Sequence, residues 1–228
     1  MPSRNAARTL SVVSGKRERV VSALLERHGQ PFARAAGITL RDQPSPLWRL
    51  LVLSLLLSAR ISSDIAVAAA RELSTAGYRT PQALVASTWQ QRVDALGRGN
   101  YRRYDERTAT QLGEAAERTL TTWRGDLRRL HDHARGNDVG RKTEQLLQGF
   151  TGIGPAGAAS YCREVQGVWT DLAPYVDDLA ADGAERLGLP RTPSRLAALV
   201  PAPDLTRLVA GCVRAARDEA VVADVTGG

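Results

Sequence analysis

The order of apolar and polar residues along the chain predicts helices. In segment 16–29, KRERVVSALLERHG, apolar pairs recur four residues apart at Val20-Val21 and Leu24-Leu25, and charged residues lie on the other face. This is the period of an amphipathic helix, which Gly29 then ends. Segment 47–59, LWRLLVLSLLLSA, is apolar on every face and indicates a buried central helix.

Capping residues divide the rest of the chain into further helices. Thr80-Pro81 and Thr192-Pro193 are typical helix starts, because a Thr side chain caps the helix and Pro fits its first turn. Alternation of apolar and polar residues is nowhere long enough to predict a strand. We therefore expect an all-α protein. The further helices are expected at 65–77, 80–87, 88–96, 103–123, 125–135, 142–149, 176–188, 193–199 and 203–222.

The charged residues are unbalanced in two ways. The chain has 31 Lys and Arg against 24 Asp and Glu, a formal net charge of +7 and a pI of about 10.1. This balance makes nucleic acid the leading partner class and an acidic membrane surface the second; the alternative is an Arg-rich composition with no functional meaning. Only Lys16 and Lys142 are lysines, which limits amine chemistry because Arg does not readily lose its proton.

Metal sites and membrane spans are not expected. Cys162 and Cys212 are too few for a four-thiolate iron–sulfur cluster or a disulfide framework, and their small or apolar neighbours indicate core positions. His131 and His133 lack a convincing third ligand. The apolar segment 47–59 is too short to span a bilayer, and no basic start leads into an apolar run. We expect a soluble, cytoplasmic protein.

The sharpest local motif is Gly152-Ile153-Gly154, followed by Pro155 and small residues that open a helix. Glycine permits the positive φ and close backbone approach of a tight hairpin, and Ile153 can anchor the turn in the core. Free N–H groups at the start of the next helix could then bind a phosphate without reading sequence. The alternative is an ordinary turn.

Four segments together resemble the helix-hairpin-helix DNA glycosylase superfamily, as typified by endonuclease III. Phe150–Ala159 is similar to the family's hairpin, which typically carries Leu-Pro-Gly-Val-Gly, and Tyr175–Gly188 is similar to its apolar-Asp stretch. Leu56–Arg60, followed by Ser63-Asp64, resembles the family's Leu-Leu-Ser-Ala-Gln segment. Leu96–Ala109 resembles its Gly-Leu-Tyr-Asn-x-Lys-Ala stretch. The segments occur in the family's order over roughly residues 46–190.

The resemblance implies a two-lobed fold with a central cleft. One lobe, 46–172, would be a helical barrel that carries the DNA-binding hairpin. The second lobe would combine 15–45 with 173–228. Residues 1–14 are polar and small and are expected to form a flexible tail.

The resemblance also assigns roles to individual residues. Asp177 would be the catalytic carboxylate, and Asp178 is the alternative if the register differs by one. The structural alternative for Asp177 is a helix cap, and both roles can coexist. Arg60 stands where relatives often carry a Gln that fills the gap left by an extruded base; its alternative is a surface phosphate contact. The backbone of the hairpin would bind DNA, through Gly152, Ile153, Gly154, Ala156 and Gly157.

Departures from the family pattern narrow the expected chemistry. Members with lyase activity carry a nucleophilic lysine where this chain has Ala156, which cannot form a Schiff base. The stretch around Lys142 superficially copies that motif, but it lies ten residues before Gly152. Lys142 is more consistent with a solvated or phosphate-contacting residue. The four C-terminal cysteines of cluster-bearing relatives are missing.

We therefore expect a monomeric, nucleoid-associated protein of bacterial type that acts in base excision repair. It would be a monofunctional DNA N-glycosylase that hydrolyses the bond between a damaged, flipped base and its sugar in double-stranded DNA. No cofactor is required, although the resemblance implies a K⁺ or Na⁺ ion at the hairpin. The alternatives are a non-catalytic binder of bent or damaged DNA, an abasic-site lyase that uses Lys142, and a membrane-surface protein.

Overall fold

The computed structural model describes the backbone of residues 4–227 and the side chains of residues 15–227. All regular elements in this part of the chain are helical, which confirms the all-α prediction. Short 3-10 helices occupy Thr170–Leu172 and Ala202–Asp204. The α-helices are α1 (Arg4–Arg27), α2 (Phe32–Ala35), α3 (Pro44–Leu57), α4 (Ser63–Thr75), α5 (Pro81–Val85), α6 (Trp89–Arg98), α7 (Asp105–Trp123), α8 (Arg128–Ala134), α9 (Val139–Leu147), α10 (Pro155–Val165), α11 (Asp178–Arg186), α12 (Pro193–Ala197), α13 (Leu205–Arg217) and α14 (Glu219–Thr226).

The chain divides into two compact units. The discontinuous unit combines Met1–Pro31 with Pro174–Gly228, and the continuous unit is Phe32–Ala173. Residues 32–45, which the sequence assigned to the second lobe, lie in the continuous unit. Buried polar contacts hold them there, because Glu164 accepts the N–H groups of Phe32 and Ala33 at 2.9 and 3.0 Å. The indole N–H of Trp169 also donates to Asp42 at 2.9 Å.

Helix α1 begins at Arg4, so most of the segment expected to be a flexible tail is helical. The sequence from Arg4 to Arg27 contains no proline, and Gly15 is its only glycine. No residue in this stretch therefore forces the helix to begin later than Arg4. Residues 1–3 of the expected tail lie outside the described residues.

Helix α3 is the buried element of the continuous unit, as its apolar sequence predicts. Trp48, Leu50, Leu51 and Leu53 are fully buried, and the helix packs against α4 and α10. Because α3 is apolar on nearly every face, neighbouring helices must cover most of it.

The discontinuous unit is held together by close helix crossings. A Cβ at Gly183 of α11 would overlap the backbone carbonyl of Cys212 in α13. A Cβ at Gly211 of α13 would lie 2.6 Å from Cγ of Leu24 in α1. Glycine therefore sets how near these helices come.

The expected helix at 203–222 is two helices. Residues 202–204 form a 3-10 turn, and α13 ends at Arg217. Asp218 is extended, with φ −139° and ψ 116°, and its carboxylate accepts the N–H of Ala220 at 2.9 Å. An Asp side chain can replace helical hydrogen bonds with such local ones, so a new helix starts there.

We expect Gly183→Ala to lower the free energy of unfolding by about 1–3 kcal/mol, because the added methyl group must push α11 away from α13. The measurement is a urea titration followed by circular dichroism. Gly15→Ala in α1 is the control in the same unit, since no described atom lies within 4 Å of a Cβ there. It should leave stability unchanged or raise it by up to about 1 kcal/mol. Equal effects of the two substitutions on stability would contradict the close packing of α11 against α13 at Gly183.

Candidate functional site

Helices α9 and α10 are joined by a tight turn at the motif singled out in the sequence. The N–H of Ile153 donates to the carbonyl of Phe150 at 3.0 Å and closes the turn. Gly152 has a φ of 90°, a conformation that side-chain-bearing residues rarely adopt. The side chains of Phe150 and Ile153 are buried. Ile153 therefore anchors the turn in the core.

The start of α10 presents free backbone donors. Gly154 is the extended N-cap residue and Pro155 is the first helical residue, so the first intrahelical bond runs from the N–H of Ala158 to the carbonyl of Gly154, at 3.0 Å. The N–H groups of Ala156 and Gly157 precede that bond and have no acceptor inside the helix. Such a helix start attracts anions through its free N–H groups and its dipole.

The hairpin packs directly on the end of α3. A Cβ at Gly157 would overlap the hydroxyl oxygen of Ser58 and would lie 3.3 Å from the carbonyl oxygen of Ser54. The Ser58 hydroxyl donates to that same carbonyl at 2.8 Å. Only glycine at position 157 allows α10 to approach α3 this closely.

A cavity of about 270 Å³ lies within the continuous unit, beside the hairpin. Three stretches of the chain line it. The segment at the end of α3 contributes Leu55, Ser58, Ala59 and Arg60, the region around the start of α7 contributes Tyr101, Tyr104, Arg107, Thr108 and Gln111, and the hairpin contributes Gly152.

The cavity carries uncompensated positive charge. Arg60 and Arg107 both line it and are exposed. Neither forms a hydrogen bond or an ion pair with any residue between 15 and 227. Tyr104 lines the cavity as well, and its ring lies under the guanidinium of Arg103, 5.2 Å from the ring centroid. This part of the lining can attract an anion and stack against a planar group.

The inner wall of the cavity is polar but neutral. The hydroxyl of Thr108 donates to that of Tyr101 at 3.5 Å, and both residues are buried. Burial raises the pKa of Tyr101, so its phenol is protonated at neutral pH. Gln111 lies one helical turn after Thr108 and packs against the hairpin, since a Cβ at Gly152 would be 2.6–2.8 Å from its carboxamide atoms.

Asp177 belongs to the discontinuous unit, where it is the N-cap residue of α11. Its carboxylate accepts the N–H of Ala180 at 3.3 Å, which confirms the helix-cap interpretation. Asp177 is half-buried, whereas Asp178 is the first residue of α11 and is exposed.

The other chemically notable residues lie apart from the cavity. Lys142 is a half-buried residue of α9 and is not among the residues that line it. Cys162 and Cys212 are fully buried, as expected of core residues, and burial raises the pKa of Cys212 to about 12.

His131 pairs with Asp171 at 2.9 Å and stacks on Trp169. Within the described part of the chain, no group of three or more His, Cys, Asp or Glu could hold a metal ion.

The structure brings Arg60 and Gly152 to the same cavity and adds residues that the sequence did not single out. The segment Leu96–Ala109 resembles the family and contains Tyr101, Arg107 and Thr108, but the resemblance assigned no role to these three residues. Gln111 was missed altogether. Its signal was a polar residue one turn after Thr108, on the face of α7 that otherwise continues through buried apolar side chains.

Comparison with protein-family models gives no match for this chain, and comparison with curated proteins finds no relative. Among residues 4–227, no helix has the length and apolar character that crossing a membrane would require.

We expect Gly157→Ala to cost about 1–3 kcal/mol of folding stability, because the methyl group displaces the Ser58 hydroxyl from the carbonyl of Ser54. Ser58→Ala alone should cost about 0.5–1.5 kcal/mol for the lost hydrogen bond. The double variant should lose less than the sum of the two, with a coupling of at least about 0.5 kcal/mol in urea titrations.

The matched control is Gly154→Ala in the same hairpin. No described atom lies within 4 Å of a Cβ at this position, so its cost should reflect only the poorer capping by alanine. Additive effects of Gly157→Ala and Ser58→Ala would show that the two residues do not touch.

Proposed function

We propose that this protein is a monofunctional DNA N-glycosylase of the two-lobed helix-hairpin-helix type, acting in base excision repair. One observation carries the proposal. Three of the four segments that resemble this superfamily meet around one cavity through Arg60, Tyr101 and Gly152, although 41 and 51 residues separate these positions in the sequence. Separate chance resemblances would have no reason to converge in this way.

The duplex would be held by its backbone. At the start of α10 the N–H group of Ala156, which is exposed, suits a phosphate oxygen, whereas Gly157 is buried against Ser58. Arg60 and Arg107 supply charge that no described residue neutralises. Contacts of this kind position DNA without reading its sequence, as a search for damage requires.

A base must leave the stack before its glycosidic bond can be hydrolysed. In the proposed reaction the C1′–N bond breaks and its electron pair leaves with the base. Water then adds its oxygen to C1′ and gives a proton to the Asp177 carboxylate. Asp177 also stabilises the positive charge that builds on the sugar. Because Ala156 offers no amine, the reaction would stop at an abasic site.

The hairpin backbone fits the monovalent cation that the resemblance implies. Within the described residues, the carbonyls of Gly152 and Ile153 accept no backbone N–H, whereas those of Phe150 and Gly154 do. The first two would hold K⁺ or Na⁺, which would add positive charge next to a phosphate.

The unpaired charges of Arg60 and Arg107 should make DNA binding sensitive to salt. Arg60→Ala and Arg107→Ala should each weaken binding to duplex DNA and reduce the slope of log K against log salt concentration by about 0.9 per lost phosphate contact. The control is Arg135→Ala, an exposed Arg of the same unit that pairs with Asp132; it should leave the slope unchanged. Fluorescence anisotropy at several KCl concentrations measures all three.

The enzymatic proposal is tested on duplexes that carry deaminated, oxidised, alkylated or mismatched bases, with hot alkali used to cleave abasic products. We expect alkali-dependent nicking of one substrate class and a loss of about 10²–10⁴-fold in rate for Asp177→Asn. Asp178→Asn, the exposed neighbour, should keep its activity.

Other outcomes identify the alternatives. Tight binding without nicking of any substrate would indicate a non-catalytic DNA-binding protein. A borohydride-trapped adduct on abasic DNA that disappears in Lys142→Ala would indicate a lyase. Binding to acidic vesicles in place of DNA would favour a membrane-surface protein.

A further inference from the structure

Arg118 of α7 is an exposed cation that packs against the turn between α9 and α10. Its guanidinium lies over the ring of Phe150, with Cζ 5.5 Å from the ring centroid. A Cβ at Gly149 would lie 2.6 Å from its Nη2 atom, so the missing side chain at position 149 makes room for the guanidinium. Packing therefore holds Arg118 beside the hairpin while its charge stays accessible to solvent.

No described residue neutralises the charge of Arg118. Glu114 lies four residues earlier on α7, the spacing and order that favour an ion pair on a helix. No such pair forms, and the guanidinium has no hydrogen-bond or ion-pair partner between residues 15 and 227. A guanidinium that packs on a ring and leaves a nearby carboxylate unpaired is available to an anion from outside the chain.

Arg118 and the cavity lie along the same face of α7. From Gly149 to Gly152 the hairpin follows this face, contacting Arg118 first and Gln111 next, and Arg107 lines the cavity together with Gln111. Positions 107 and 118 are eleven residues apart, or about three helical turns, which places their Cα atoms about 16 Å apart along the helix axis. Helix α7 thus carries two unpaired arginines on the face where the hairpin packs.

The separation of the two arginines indicates an extended polyanion. A single phosphate group cannot contact both side chains across about 16 Å. Along one strand of B-DNA, successive phosphates are about 3.4 Å apart in the direction of the helix axis, so the same distance covers about five base pairs. A duplex is stiff over this length, and both arginines can contact its backbone at once.

We propose that α7 is a second DNA-contacting element, in which Arg118 binds a phosphate about five base pairs along the duplex from the phosphate at Arg107. The proposal rests on the proposed function for the identity of the polyanion. Arg118 is not among the residues that line the cavity, so it is a positioning residue for the duplex and does not touch the reacting atoms.

The first test compares Arg118→Gln with Arg129→Gln on a long undamaged duplex. Each change removes one positive charge from an exposed position of the continuous unit, and Arg129 lies in α8, near Asp126. Fluorescence anisotropy at several KCl concentrations should show the slope of log K against log salt concentration falling by about 0.9 for Arg118→Gln. Arg129→Gln should leave the slope unchanged.

Two further variants separate charge from packing. Arg118→Lys keeps the charge but loses the planar group over the Phe150 ring, so it should keep the salt slope even if its melting temperature falls. Glu114→Gln removes a negative charge beside the proposed phosphate and should tighten DNA binding. A residue that only supported Phe150 would change the melting temperature and leave DNA binding as it is.

Hydroxyl-radical footprinting then locates the contact on a duplex with a stable abasic-site analogue at its centre. The wild-type protein should protect the backbone beside the analogue and again about five base pairs to one side. Arg118→Gln should lose the second protection and keep the first.

An unchanged salt slope in Arg118→Gln would overturn the proposal, whatever happens to the melting temperature. So would equal losses of slope in Arg118→Gln and Arg129→Gln, since that is a general effect of net charge, or Arg118-dependent binding to acidic vesicles in place of DNA. Arg118-dependent DNA binding without nicking would refute the glycosylase function alone. Nicking with an unchanged slope in Arg118→Gln would refute this inference alone.

Discussion

The contact between the hairpin and the end of helix α3 is the constraint on which the candidate site depends. Gly157 lies so close to Ser58 that no side chain fits between them. This approach places the start of α10 against the end of α3, and both the end of α3 and Gly152 of the hairpin line the cavity. The hairpin and the end of α3 thus reach the cavity as one packed unit. A larger residue at position 157 would separate them even if both helices remained folded.

Gln111 connects the hairpin to the cavity in a second way. Its carboxamide packs against Gly152, whose positive φ and missing side chain leave room for it. The same carboxamide lines the cavity without a hydrogen-bond partner. One side chain therefore contacts the hairpin and lines the cavity at the same time. The guanidinium groups of Arg60 and Arg107, which are exposed and have no described partner, remain available to an anion.

Asp177 illustrates how one residue can serve folding and chemistry together. As the N-cap of α11 it accepts a backbone N–H, and this contact fixes the position of its carboxylate. A fixed carboxylate loses little entropy when it orients a water molecule. Capping therefore does not argue against the proposed catalytic role.

Signals that act over a few residues were sufficient for a large part of this structure. Helical periodicity and capping residues predicted the all-helical class, the buried helix α3, the turn at Gly152 and the cap at Asp177, because each depends on neighbours within about one turn. Local signals were less reliable at the ends of elements: Asp218 divides a predicted single helix, and α1 extends back to Arg4. Only the tertiary structure placed residues 32–45 in the continuous unit and brought Gln111 to a cavity beside Arg60. The first outcome depends on the buried carboxylate of Glu164, which is far along the chain from residues 32–45. The second depends on the small volume of Gly157, where α10 meets the end of α3. Local sequence patterns do not encode either contact.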